Sequence, residues 1–274
     1  MPRVAFIGLG TMGLPMARNL IAAGYVVVGC DLDAARADAL GGPTAATPAE
    51  AAGGADFALL SLPSPEAVER VAGELPRSIA LVDMSTGPPA LARQLAEEFE
   101  ATLDAPVSGG PRGAEAATLT IMVGGRPEVF ERAESLLRSL GRPVLVGGPG
   151  TGQVTKLCNN LIAGATMAAI AEACAIAERE GIDPRILYDL LTSSTGDSRV
   201  LRTRFALPGV DPSHPSSNSY EPLFMLDLIA KDLALALELA DDAPVAAAAF
   251  AEYRRAQETG LGGLDYSAVF LAKR

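Results

Sequence analysis

The sequence predicts an α/β chain: a doubly wound sheet domain over residues 1–150, then an all-helical domain over residues 151–274. Three observations carry that prediction. Short β-branched runs alternate with helix-length segments through the first half, three glycines stand between the first run and the first helix, and the strand signal stops near Thr151. Strands alternating with helices of this length imply parallel β-α-β units, since a parallel neighbour is reached only through a crossover.

The strand candidates, in order, are Val4–Gly8, Val26–Asp31, Phe57–Leu62, Ala80–Met84, Leu103–Ala105, Thr120–Val123 and Pro143–Val146. Between them Met12–Ala23, Pro65–Leu75, Pro89–Glu98 and Pro127–Leu140 are amphipathic or alanine-rich and read as helices. From Gln153 to Glu180 one long helix follows, apolar nearly all round and ended by Gly181. Such a helix needs cover on most sides, which points to a course between the domains or into a dimer interface. Asp183 and Pro184 then supply an N-cap and a first-position proline for the next helix. Further helices are expected over Pro222–Asp241 and Pro244–Thr259, and a short one from Asp265. No repeat or low-complexity linker separates the halves, so close packing between them is expected.

A 49% hydrophobic content is ample for a core, and a net charge of −11 makes a nucleic-acid backbone an unsuitable partner. The three cysteines, Cys30, Cys158 and Cys174, show no paired spacing, and with a single histidine there is no zinc signature, so no metal is expected. That histidine, His214, sits in a proline-rich loop and reads as a bystander, so proton chemistry must fall to another group. The chain opens directly into a strand without a signal peptide, and the long apolar stretch carries Asn159, Asn160 and Glu172. A cytoplasmic protein with no membrane partner is the expectation.

Gly8, Leu9, Gly10, Thr11, Met12 and Gly13 form G-x-G-x-x-G directly between a strand and a helix, the context in which that pattern binds a dinucleotide. Gly8 allows the tight turn, Gly10 the approach of a pyrophosphate, and Gly13 the close packing of helix on strand. The helix N-terminus offers free N–H groups to the phosphates. Asp31, 18 residues beyond Gly13, ends the second strand where a carboxylate would bond a ribose 2′-hydroxyl. Repulsion of a 2′-phosphate there favours NAD, while Arg36 keeps NADP open. Ligands border the C-terminal ends of parallel strands, so Leu62 and Pro63 should line the cofactor. Thr86 either lies by the nicotinamide ribose or caps the next helix.

The run Asp104–Gly110 is a strand end followed by a small, flexible turn. Its successive N–H groups and the Ser108 hydroxyl could cradle an anion, or Gly109 and Gly110 could simply make the turn. Only three of the 22 basic residues are lysines, and Lys156 stands just after a glycine-rich loop, one helical turn before Asn160. A partly desolvated lysine can surrender its proton where an arginine cannot, and an amide can orient the same oxygen. Asn159 could compete for the Asn160 role.

Taken together, these residues resemble the β-hydroxyacid dehydrogenase family. The family's opening G-L-G-x-M-G-x-x-M-A-x-N-L matches Gly8 to Leu20 throughout. Its substrate motif resembles Asp104–Gly110, its catalytic motif Gly150–Asn160, and its late cofactor motif Lys231-Asp232-Leu233. Four ordered motifs covering nearly the whole chain are specific. The resemblance implies that Lys156 is the catalytic acid/base and that Asn160 supports the substrate. It also implies that Ser108, Gly109 and Gly110 hold the substrate carboxylate and that Lys231 lies near the nicotinamide. Without it, Lys231 reads as a helix-face lysine paired with Asp227. The implied reaction is NAD-dependent oxidation of a small 3-hydroxy carboxylic acid to its semialdehyde, in a homodimer or homotetramer. Reduction of another small semialdehyde, such as tartronate semialdehyde, or a non-catalytic dinucleotide-binding regulator are the alternatives. One departure stands out: Ser198 occupies a position where close members carry tryptophan, and this chain has none, which implies a roomier substrate pocket.

Overall fold

β1 (Arg3–Ile7) organises the first sheet, pairing in parallel with β2 (Val26–Cys30) on one side and β3 (Phe57–Leu60) on the other. Parallel pairing continues through β4 (Ala80–Asp83) to β5 (Ala101–Asp104). The computed structural model describes residues 2–274, which fall into two units divided between Lys156 and Leu157.

The seven expected strands are present, but the sheet is not wholly parallel. A two-residue β6 (Val107–Ser108), not expected from the sequence, precedes β7 (Leu119–Gly125), which runs antiparallel to both β5 and β6. β8 (Gly141–Gly147) then returns parallel to β7. The order β2-β1-β3-β4-β5-β7-β6, with β8 on β7, gives eight strands. The reversal follows from the β5–β7 connection, whose only helix, Gly110–Glu115, is too short for a crossover.

Alternate residues of each strand enter opposite apolar layers. Val4 and Phe6 join Leu59, Val82 and Leu103 on one face, while Ala5 and Ile7 join Val28, Leu60 and Leu81 on the other. Helices cover both faces, so the strands read as unbroken apolar runs instead of alternating ones. Each fully buried large side chain contributes on the order of 1.5–3 kcal/mol.

The second unit is helical. The long helix, Thr151–Arg179, turns Met167, Ala171 and Cys174 into its core, but Ile162 and Ile176 are exposed. Its apolar surface is therefore covered on one face within the unit, even though its length and composition alone would suit a membrane span. Tyr253 is fully buried and donates its hydroxyl to the Gly164 carbonyl at 3.1 Å. Asp183 caps the helix Pro184–Thr192, accepting the Arg185 and Ile186 N–H groups at 2.9 and 3.1 Å. Helices Leu226–Glu238 and Pro244–Glu258 follow, and the last segment, Tyr266–Lys273, is a 3-10 helix capped by Asp265. His214, in the proline-rich loop, is buried, with Nε2 2.9 Å from the Arg202 carbonyl.

Candidate active site

The glycine loop is shaped by crowding at two positions and by openness at a third. Gly8 has φ +94°, and a side chain there would strike the Ser61 carbonyl. A Cβ on Gly13 would overlap the Gly8 carbonyl oxygen. At Gly10 the nearest atom to an added Cβ is Arg36 Nη1 at 3.7 Å, so nothing in the protein itself demands glycine. The requirement at Gly10 therefore belongs to whatever approaches from outside. The helix Gly13–Ala22 begins at Met12 with no side-chain cap and no acid in its first turn, and the Leu14 and Met16 N–H groups turn back to the Gly10 and Met12 carbonyls, so an incoming anion would meet the loop N–H groups ahead of them. Thr11 is exposed beside them, and Leu9, Gly10, Thr11, Arg18 and Arg36 line a cleft of about 520 Å³.

Asp31 stands at the end of β2 as expected, and it also has internal work. Its Oδ2 accepts the Leu9 N–H at 2.7 Å and its Oδ1 the Asp33 N–H at 2.8 Å, so the carboxylate holds the glycine loop as well as facing it. Beyond β3, the Leu62 N–H donates to Ser85 Oγ at 2.9 Å, joining the expected cofactor edge of Leu62 and Pro63 to the β4 end. The helix after Thr86 takes Pro88 as its N-cap residue. Thr86 thus lies outside that helix, on the β4-end loop.

Ser108 closes β6 opposite Thr120, and Gly109 and Gly110 follow with φ +142° and +64°. Gly110 has open space around its missing side chain, and the helix starting there has no side-chain cap. The turn therefore presents uncapped N–H groups beside a half-buried hydroxyl, the arrangement an anion cradle requires.

Asp104, in the same run, does something else. It is 2% exposed and accepts the Gly150 and Gln153 N–H groups at 2.7 and 2.9 Å. Burial pushes its pKa above the ordinary carboxylate value, and the backbone N–H bonds oppose that shift.

Lys156 is 7% exposed, on the long helix one turn before Asn160. Asn160 is buried and held at both ends of its amide. Its Nδ2 donates to Asp232 Oδ2 at 2.6 Å, and its Oδ1 accepts the Asn159 Nδ2–H at 2.9 Å. Asn159 is exposed. Lys231 Nζ lies 3.1 Å from Asp232 Oδ1, on the adjoining residue. Asp227 accepts from Gln257 Nε2 at 2.7 Å. Ser198 is a helix cap, accepting the Leu201 N–H at 3.0 Å. Sequence reasoning placed Asp232 and Gln153 within motifs but gave neither a role of its own. The available signal was an acid adjoining one of only three lysines.

Two family models match the chain. Residues 3–148 match the NAD binding domain of 6-phosphogluconate dehydrogenase, and residues 150–272 match the NAD-binding domain of NADP-dependent 3-hydroxyisobutyrate dehydrogenase. An NAD-dependent L-serine dehydrogenase of Pseudomonas aeruginosa is 37% identical, over 98% of this chain and 97% of the relative. A 3-hydroxyisobutyrate dehydrogenase of the same organism is 40% identical over 86% of this chain and 85% of its own. Among solved structures, Mycobacterium tuberculosis 3-hydroxyisobutyrate dehydrogenase with L-serine superposes with a TM-score of 0.91. It is 34% identical and covers 100% of this chain and 99% of that one.

Proposed function

Since the chain belongs to the β-hydroxyacid dehydrogenase family and is an NAD(P)-dependent hydroxyacid dehydrogenase, we propose that it oxidises a small 3-hydroxy carboxylic acid to its semialdehyde with Lys156 as acid/base. The observation that carries this reading is a buried lysine one helical turn before a buried asparagine whose amide is fixed at both ends. The preferred substrate is 3-hydroxyisobutyrate or a close analogue. L-serine belongs to the same class, with an amino group on C2 where 3-hydroxyisobutyrate has a methyl.

Gly8 to Gly13, Asp31, Leu62, Pro63, Thr86 and Lys231 would hold the dinucleotide, with the uncapped helix N-terminus receiving its phosphates. Arg36, beside Gly10 and exposed, would supply the countercharge for a 2′-phosphate when NADP is used. When bound, that cofactor accepts the hydride from the carbinol carbon. The chain's own tasks are positional and protolytic. Ser108, Gly109 and Gly110 would receive the carboxylate, Lys156 takes the hydroxyl proton as the carbonyl forms, and Asn160 orients the same oxygen. Fixing the reacting carbon in this way supplies a large share of the rate.

Exposed Ile162 and Ile176 on the long helix, with Ile186 and Leu190 on the next, support self-association as a homodimer or homotetramer. Sedimentation velocity tests that part. For the reaction, NADH formation should be seen with 3-hydroxyisobutyrate and, more slowly, with L-serine and 3-hydroxypropionate. No nucleotide reduction with any of them, using either NAD or NADP, would refute the substrate class.

A further inference from the structure

The long helix that carries Lys156 does not cap its own N-terminus. Thr151, its first residue, turns its hydroxyl to the Gly148 carbonyl at 2.7 Å. The Gly150 and Gln153 N–H groups go instead to the two oxygens of Asp104, on a strand 46 and 49 residues earlier in the chain. A free helix start leaves its first N–H groups without partners, and a carboxylate there also meets the positive end of the helix dipole.

Space has been kept for this contact from two elements. A Cβ on Gly124, in β7, would stand 2.5 Å from Asp104 Oδ1, and one on Gly152, in the helix, would meet the Met122 carbonyl oxygen and the Asp104 carbonyl oxygen, the latter at 2.6 Å, as well as Asp104 Oδ2 at 2.8 Å. Gln153 adds a second anchor. Its side chain, 1% exposed, accepts the Gly87 N–H at 3.1 Å and donates to the Ser85 carbonyl at 2.9 Å. The helix start is thereby tied to the ends of both β4 and β5. Lys156 follows Gln153 by three residues, about 4.5 Å along the axis on a neighbouring side of the helix.

We propose that Asp104 is a positioning residue for catalysis, setting the axial and rotational placement of Lys156 by capping the helix from β5. This inference rests on the reading of Lys156 as acid/base. A misplacement of about 1 Å at a reacting group costs on the order of 10²-fold in rate, so a cap of this kind belongs to the chemistry as well as to the fold.

The test compares Asp104→Asn with Gly152→Ala. The first keeps the volume but leaves one N–H facing an amide donor. The second pushes the helix start away while retaining the carboxylate, and covers the case in which the first does not fold. Both should lower kcat about 10- to 100-fold, displace a limb of the kcat/KM pH profile, and change the calorimetric Kd for NADH less than twofold. With three lysines in the chain, ¹³Cε-lysine NMR resolves each, and Lys156→Arg assigns its signal. The Lys156 signal should move in both variants while those of Lys231 and Lys273, both in the second unit, stay. An unmoved Lys156 signal and pH limb overturn the proposal, even if melting temperature and activity fall, because a merely structural residue would do that. Wild-type turnover in Lys156→Arg would overturn the acid/base reading by itself, leaving the NMR shift to report on Asp104 separately.

Discussion

Glycines 8, 10 and 13 look equivalent in the sequence, but three different physical demands hold them. At Gly13 a methyl group would overlap the Gly8 carbonyl oxygen, whereas at Gly10 an added Cβ finds 3.7 Å of clearance. Gly13→Ala should therefore destabilise the first unit by about 1–3 kcal/mol, the range for forced overpacking, and abolish NAD binding. Gly10→Ala should melt as the wild type does and still lose NAD affinity. Urea denaturation beside calorimetric titration separates the two, and equal effects on both variants would contradict the assignment. For Lys156, replacement by alanine should leave NADH affinity within about twofold and reduce kcat by about 10²–10⁴, the usual worth of a positioned acid/base. Single-turnover kinetics check this.

Helix ends show how much is local and how much is not. Asp183 caps its helix from the adjoining position, and Asp183→Ala should cost about 0.5–2 kcal/mol in chemical denaturation while sparing turnover. The start of the long helix has no such neighbour and takes its cap from β5. Asn160 likewise depends on another helix, through Asp232, which is 1% exposed. Replacing Asp232 by alanine would strand a buried amide and free the Lys231 ammonium from its partner carboxylate. We expect kcat to fall in Asp232→Ala with the first unit's melting unchanged.

Alkali should act on buried thiols in both units, Cys30 in the first and Cys174 in the second, and on buried phenols in the second. In the second, burial pushes the Cys174 thiol up to about 11 and the Tyr220 and Tyr266 phenols up to about 12, and raises fully buried Tyr253 further. A group whose folded pKa is raised stabilises the fold fully below its unfolded value and loses that contribution as pH climbs to the folded one. The second unit should accordingly lose stability from about pH 9 upward, starting with the thiol and continuing with the phenols. Because the chain has no tryptophan, tyrosinate absorbance is readable, and the part that comes from Tyr220, Tyr253 and Tyr266 should appear in step with the loss of helical circular dichroism. Buried Cys30 and Cys174 lie in different units, so thiol labelling during a urea melt follows each unit separately. Neither should react at pH 7 before unfolding.

Local rules made much of the molecule legible in its residues. The turn at Gly8, the packing at Gly13, the acid closing β2 and the cap at Asp183 each follow from conformational freedom or hydrogen bonding within a few positions. The strands were legible because a two-sided buried sheet needs unbroken apolar runs. Tertiary structure alone decided the direction of β7, the two-residue β6, the burial of His214 and the employment of Asp104. Each of these depends on a hydrogen-bonding or packing partner that chain order leaves undefined. A carboxylate at a strand end satisfies the same local pattern whether it faces a ligand or a helix start 46 residues on. Only the folded chain, by closing that distance and excluding water, made the second outcome the favourable one.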